Sequence, residues 1–439
     1  MTHAHTTPAH LAQRRERLAA QLALTDEILL VAAGEPLGIP GGADQTYPFL
    51  AHADFYYLAE HETPGAVIAF DPAMGPAKGW HDFVPIITNA QRIWENPTQA
   101  PGLPLAELPA FLAARRGRPV VSLGAALRAA PAPSPKTHEI RERFAHARRP
   151  KDEHELALLR RAAHATAAGF DAALTHATPG ASERDVQIEL EAAFFRAGAT
   201  RAGYASIVGS GPNAAVLHSA PSHRTLNPGD LLLIDAGAEI NRYTADVTRT
   251  YIVGGAAHAD TARRELHDIV LRTLRNAVQR CRPNAEWIDL HLAAALDLTD
   301  GLVQMGLLSG SPTSLVEQEA HTLFFPHGLG HLVGLGVRDA SGRLPGRAPS
   351  SRKGAPSIRM DLPLQPGYVT TVEPGLYLIP ALLNDPDKRS THATHTNWAL
   401  ADALAASGLG GVRIEDNVLI TDNNPINLTA HIPADLNHH

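Results

Sequence analysis

Four acidic residues of this chain stand inside apolar, strand-like runs: Asp235 in DLLLIDAGAEI, Asp246 in YTADVTRTYIV, Glu373 in TTVEPGLYLI and Glu415 in GGVRIEDNVLI. Carboxylates carried into a low-dielectric interior repel one another and cost desolvation unless something neutralises them. A fifth element, FFPHGLGHLVGLGVRD at 324–339, brings His327 and His331 close around a glycine-rich bend. No glycine loop leads into a helix there, so a phosphate cradle is not indicated. Singly, each feature has a plain reading: aspartates on a solvated face, Arg413 paired with Glu415 on one strand face, or a histidine packed in the core. Jointly, Asp235, Asp246, Glu373 and Glu415 carry four negative charges and His331 is neutral, so two divalent cations close the site at zero. Four carboxylates and one imidazole suit Mn²⁺, with Co²⁺ or Zn²⁺ as alternatives. A pair of such ions lowers the pKa of a shared water and clamps the tetrahedral intermediate of an acyl hydrolysis.

The rest of the composition narrows the classes. The 439 residues are about three times the ~150-residue single-domain prior, which allows two domains and an ample core. Thirty-eight Lys and Arg against 45 Asp and Glu give a net charge of −7, which favours neither nucleic acid nor an anionic membrane as partner. Cys281 is the only cysteine, which removes internal disulfides and all-thiolate metal sites and fits a reducing cytosol. The opening MTHAHTTPAHLAQRRERLAAQL reads as a polar tail entering an amphipathic helix, without a secretory apolar core, and no run reaches the ~20 apolar residues of a membrane span. A cytoplasmic location is expected.

The elements that must carry the five ligands follow from periodicity. Up to about residue 148, apolar runs at 28–39, 65–72, 83–88 and 118–124 alternate with helical patterns such as LAELPAFLAARR, as in a small α/β domain. The stretch AAPAPSPKTHE at 129–139 and RRPKDE at 148–153 mark a boundary near 150, giving domains at 1–150 and 151–439. Apolar steps of three and four predict a helix over 153–176, stopped by Thr178-Pro179-Gly180; a second, capped by Ser182 and Asp185, ends at Gly198. Residues 231–253 read as a hairpin around Asn241-Arg242. A turn centred between Ile240 and Asn241 places Asp235 directly opposite Asp246, with Cβ atoms roughly 4.5–5.5 Å apart. Helices are expected over 261–280 and 286–306, and strands with long connections over 321–423. Pro374 removes a ladder donor and predicts an edge or distortion beside Glu373.

An aspartate pair in a hairpin, then HGLGH, VEPG and RIEDN, in that order, resembles the pita-bread-fold metallopeptidases, and within them bacterial prolidase, the Xaa-Pro dipeptidase. The likeness covers roughly 150–430, and the amino-terminal part is similar to the creatinase-type extra domain of those enzymes. The implied fold is α/β (α+β), a small creatinase-type N-terminal α/β domain followed by a pita-bread catalytic domain.

The resemblance implies roles residue by residue. Asp235 chelates one metal, Asp246 and Glu415 bridge, and His331 and Glu373 complete the second. Glu373 also acts as general base and acid, and a metal-bridged hydroxide attacks the Xaa-Pro bond. His218 contacts the scissile region and the developing oxyanion, and Arg413 buttresses the ligands. Tyr243 matches a nearby substrate-side tyrosine, and Arg359 the arginine that grips a dipeptide carboxylate. The substrate implied is a small peptide with proline second, whose tertiary amide offers an ordinary protease no N–H. A homodimer is implied as well.

One departure from the family pattern concerns Arg338, which stands before Asp339 where the family usually has histidine. Arginine cannot accept a proton, so it is expected to redirect substrate binding without abolishing hydrolysis. The basic segment 338–359 is expected to act as a lid. Aminopeptidase P, which takes longer peptides, is the alternative within the enzyme class, and a non-catalytic binding module the alternative outside it. Creatinase keeps this fold without the metal ligands, all five of which are present here.

Overall fold

A computed structural model describes residues 8–127, 135–355 and 358–436; the polar tail at 1–7 and most of the proline-bearing stretch at 129–139 lie outside them. The chain divides into two compact units, Met1–Arg148 and Arg149–His439. The first is built on a five-stranded mixed sheet in the order Leu103–Pro104, Trp80–Val84, Val67–Phe70, Ile28–Ala32, Val120–Gly124, antiparallel except for its two edge pairs. Ile28, Leu30, Ala32, Val67, Ala69 and Phe83 form the core on one face, and Leu29, Val31, Ile68 and Phe70 are buried on the other, so the apolar runs read from the sequence are those of a sheet covered on both faces.

The second unit begins with a helix, Glu153–His176, closed at its start by a reciprocal Asp152–Glu155 capping box; the next, Glu183–Arg196, repeats the device with Ser182 and Asp185. Each such cap contributes about 1 kcal/mol. Both helices pack through Phe170, Val186, Leu190 and Phe194 on one face of a three-stranded antiparallel sheet whose centre is Leu231–Ala236, flanked by Ile207–Ser210 and Val247–Ile252. A second helical pair, Thr261–Arg280 and Trp287–Gln304, covers a larger core that includes Val372, Leu376, Val412 and Val418 from the carboxy-terminal strands.

The period-two geometry of the central strand places the first ligand candidate. Leu232, Ile234 and Ala236 face the paired helices, while Leu233 joins Ile207, Ala214 and Tyr377 on the opposite side. Asp235 shares the parity of Leu233 and therefore leaves the helical core for that other face. Fully burying each of these leucines and isoleucines contributes ~1.5–3 kcal/mol, which offsets the burial of the acid between them.

Candidate metal centre

The hairpin register differs from the symmetrical one expected. Asn241 and Arg242 both take positive φ, 47° and 71°, so the two-residue turn is centred between them and Ile240 pairs with Tyr243. Asp235 consequently opposes Thr248, not Asp246, and the two aspartates are diagonal neighbours on one face. The ladder also opens at Gly237, Ala245 and Asp246. A Cβ on Gly237 would lie 1.7 Å from the Ala245 carbonyl oxygen, so only glycine lets the strands cross there. The freed backbone of Asp246 is taken by Asn417, whose Oδ1 accepts from Asp246 N at 3.0 Å and whose Nδ2 donates to Asp246 O at 2.6 Å.

Glu373 and Glu415 lie in two matching interruptions. The strand pair Val369–Val372 with Asp416–Leu419 stops at Val372 opposite Asp416, and resumes as Gly375–Tyr377 with Gly411–Arg413, Gly375 opposite Arg413. Pro374 causes the expected break, and the register on either side of it sets Glu373 across from Glu415. Glu415 is fixed further by Thr248, which accepts its N–H at 2.9 Å and donates Oγ1 to Oε2 at 2.7 Å.

The HGLGH segment runs alongside the same strand. His331 N donates to Thr371 Oγ1 at 3.0 Å, Thr371 N to His331 O at 2.8 Å, and Glu373 N to Leu329 O at 2.8 Å. A Cβ on Gly330 would stand 2.3 Å from Thr371 O, so this close approach needs glycine. His331 Nδ1 lies 3.1 Å from the Leu332 carbonyl, which can only accept, so Nδ1 carries the hydrogen and Nε2 is left as the ligand atom. That Nε2 is 3.4 Å from Asp246 Oδ2 and 3.9 Å from Glu373 Oε1.

Asp246, His331 and Glu415 offer ligand atoms that all lie within 4.8 Å of one another, and all three residues are buried. Asp235 stands beside them with both oxygens engaged: Arg413 Nη2 donates to Oδ2 at 2.6 Å, and the Tyr204 hydroxyl to Oδ1 at 2.7 Å. Arg413 thus pairs with Asp235 rather than with Glu415, its neighbour two residues on.

The charges in this cluster are at odds with water-like titration. Burial raises Glu415 well above the ordinary carboxylate range, with Asp246, Glu373 and Asp235 adding repulsion. Burial also raises Asp235, against the pull of Arg413. Glu373 is pushed up to about 7 by burial and by the two aspartates, against His331 and Arg413. Burial works against protonation of His331, but the hydrogen bond and charge of Asp246 and the charge of Glu373 outweigh it and raise the imidazole. Carboxylates that converge beside an imidazole while repelling one another fit divalent cations: ligation replaces the missing countercharge.

One cavity of about 650 Å³ serves the cluster, and Asp235, Asp246, His331, Glu373, Arg413 and Glu415 all line it. His218, Arg338 and Arg359 reach the same wall from exposed positions. Tyr243 does not line the cavity. It is fully buried, with its hydroxyl donating to Glu155 Oε1 at 3.0 Å, because its side chain alternates to the helical side of the hairpin. The tyrosine at the carboxylates is Tyr204, which nothing in its local pattern, RAGYAS, marks as polar machinery.

His327 is the other residue that belongs to the site by geometry. Its Nδ1 donates to Gly328 O at 2.9 Å, so Nε2 accepts from the Tyr377 hydroxyl at 2.9 Å, and that oxygen accepts from Arg413 Nη1 at 3.0 Å. Burial, with Arg413 nearby, lowers its pKa to about 3, keeping the imidazole neutral and the chain directed. The HGLGH pattern itself was the available signal.

The segment expected as a lid is strapped. Arg149 donates to the carbonyls of Ala340, Ser341 and Arg343, Arg347 pairs with Glu286 and Asp361, and Arg352 with Asp289. His291 and His321 both approach the carbonyl of Gly354, at 3.3 and 3.2 Å. Residues 356 and 357 of this segment lie outside the described ones.

Comparison with known proteins places both units. Residues 157–422 match the model of metallopeptidase family M24, and residues 11–103 match that of the aminopeptidase P N-terminal domain. The Xaa-Pro aminopeptidase of Escherichia coli is 35% identical over 282 residues, 64% of this chain and 56% of that protein. A probable Xaa-Pro aminopeptidase of Botryotinia fuckeliana is 31% identical over 405 residues, 88% of this chain and 86% of the relative. Human Xaa-Pro dipeptidase is 36% identical over 246 residues, 54% and 49% of the two chains. Two of these matches, the Escherichia coli and the human one, thus span only about half of the relative's length. The structure of Escherichia coli aminopeptidase P with the inhibitor Pro-Leu superposes with a TM-score of 0.77 at 26% identity, over 98% of this chain and 97% of that one. The pita-bread architecture expected from the motifs is therefore present, among the described residues no helix is long and apolar enough to cross a membrane, and with its catalytic-unit match running through every one of the five converging donors the chain belongs to metallopeptidase family M24.

Proposed function

We propose that this chain hydrolyses the bond between an amino-terminal residue and a following proline, with dipeptides as its substrates, using two divalent cations held by Asp235, Asp246, His331, Glu373 and Glu415. The observation that carries the reading is the buried convergence of Asp246, His331 and Glu415 on the wall of a cavity that Glu373 and the guanidiniums of Arg184, Arg338, Arg359 and Arg413 also line. When bound, the cations supply Lewis acidity toward the carbonyl and acidify water.

The chain's own residues do the remainder. Glu373, on the cavity wall, takes the proton of the attacking water and returns it to the proline nitrogen as the C–N bond breaks. That nitrogen belongs to a tertiary amide and needs the proton to leave. His218 donates to the carbonyl oxygen as charge develops there. Arg413 holds Asp235 in one orientation. Arg359 pairs with the carboxylate of the leaving proline, and its fork geometry suits that group. Arg338 offers a second donor on the same wall.

Mn²⁺, a homodimer and a cytoplasmic location complete the proposal on the strength of the resemblance. The cavity volume is within the range that encloses drug-sized ligands, so size does not restrict the site to two residues. That favours, as the second reading, an aminopeptidase acting on longer Xaa-Pro peptides. Hydrolysis of Ala-Pro and Ala-Pro-Ala by the full chain, with Mn²⁺ and after chelation, separates the two. Metal-dependent cleavage of Ala-Pro in preference is expected; preference for Ala-Pro-Ala establishes the second reading, and failure on both with metal present rejects the peptidase assignment.

A further inference from the structure

Three guanidiniums on the cavity wall have no carboxylate partner among the described residues. Arg338 and Arg359 make no hydrogen bond or ion pair there. Arg184, on the first turn of Glu183–Arg196, is held only by neutral oxygens, donating Nη2 to Pro221 O at 2.8 Å and Nη1 to Gln187 Oε1. Several arginines elsewhere in the unit are matched with acids, Arg224 with Asp230, Arg249 with Asp416, Arg280 with Asp297, Arg347 with Glu286 and Asp361, Arg389 with Asp402, whereas Arg264 and Arg282, like Arg184, are held by neutral oxygens. The acids that line the cavity are the four of the metal centre, and of these Asp235 is already taken by Arg413.

Unmatched guanidiniums on a concave wall focus a positive potential into the space they enclose. Their planar forks match carboxylates, and one carboxylate satisfies one fork bidentately. A zwitterionic dipeptide such as Ala-Pro brings a single carboxylate, leaving two forks unsatisfied. We infer that the cavity selects peptides that carry a carboxylate beyond the terminal one, with Arg184 and Arg338 as the residues that set the preference. The inference rests on the peptidase reading above and names its substrate class.

The test compares near-isosteric pairs with the Mn²⁺-loaded full chain: Glu-Pro against Gln-Pro, and Ala-Pro-Glu against Ala-Pro-Gln. The acidic member of at least one pair is expected to have the higher kcat/KM by about tenfold at low salt, a ratio that shrinks in roughly 0.5 M salt as screening sets in. Arg184→Gln and Arg338→Gln are each expected to bring that ratio to within about twofold of unity. The ratio is taken within one preparation, so partial misfolding cancels; a fall in only one variant assigns the contact to that arginine. Equal rates within both pairs, or a preference that neither substitution moves, overturns the inference while leaving Xaa-Pro hydrolysis in place. Absence of hydrolysis on every peptide, neutral ones included, overturns the peptidase reading and the inference with it.

Discussion

Glu373 and Glu415 face each other across a break in an antiparallel strand pair, with Val372 opposite Asp416 on one side of the gap and Gly375 opposite Arg413 on the other. A buried and a partly buried carboxylate in register repel, and the metal-free protein relieves this by holding protons: burial and neighbouring acids raise Glu415 well above the carboxylate range and push Glu373 up to about 7. The pair is a site under electrostatic load until cations enter.

That load gives Glu373→Gln a signature of opposite sign on stability and activity. In the metal-free protein the folded carboxyl titrates near 7 against an ordinary 4.5, so the folded state binds the proton more tightly. Stability is therefore lost as pH rises from 4.5 to about 7 and stays low above it. Glu373→Gln removes that loss and should be more stable at pH 8 by up to ~3 kcal/mol in urea unfolding of chelated protein. The metal-loaded variant should lose about 10²–10⁴-fold in kcat. A variant less stable than the parent at pH 8 contradicts the assignment.

Arg413 neutralises Asp235 through a 2.6 Å hydrogen bond in a buried setting. Arg413→Met strands that carboxylate, and breaking a buried pair from one side costs about 3–5 kcal/mol. The metal-free variant should melt several degrees lower, and added Mn²⁺ should raise its Tm by more than it raises the parent's. Equal metal-induced shifts would show that Arg413 does not share the countercharge role.

Two tyrosines discriminate the observed site from the one anticipated. Tyr204→Phe removes a hydroxyl that donates to Asp235 at 2.7 Å and should lower kcat/KM by about tenfold, with a stability cost of about 1–3 kcal/mol in the metal-free protein. Tyr243→Phe removes the hydroxyl that donates to Glu155 and should cost about 1–2 kcal/mol of stability while leaving kcat/KM intact. Reversal of this pattern in steady-state kinetics and urea melts would return Tyr243 to the substrate side.

Acid should loosen the strapped segment's anchorage. His291 and His321 are buried beside the Gly354 carbonyl, and burial lowers both pKa values from 6.5 to about 4. The unfolded chain then takes up protons first, so their contribution is whole above pH 6.5 and is lost progressively as pH falls to about 4. One histidine accounts for about 3 kcal/mol of that loss. His291→Leu should therefore narrow the stability difference between pH 7 and pH 4.5; an unchanged difference in urea unfolding sinks the account.

Much of the fold was legible locally because its signals are local. The Asp152–Glu155 and Ser182–Asp185 boxes mark two helix starts, and Pro374 marks the strand break that puts Glu373 out of the ladder. The four proposed carboxylate ligands stood out because a charged residue in a run such as LLLIDA has no cheap alternative use. The register was not readable. An arginine at φ 71° is an uncommon turn residue, and its presence shifts the hairpin so that Thr248 rather than Asp246 meets Asp235.

What the sequence determined by itself, then, is which residues are candidates for the chemistry and in what order the strands carry them, because burial of unpaired charge is costly wherever it occurs. Only the tertiary structure decided who meets whom. Glu373 faces Glu415, Arg413 turns to Asp235, Tyr204 takes the place anticipated for Tyr243, and three arginines of the cavity wall are left without acids. These pairings join segments far apart along the chain, and their partners are set by register, side-chain parity and packing, which no single segment encodes.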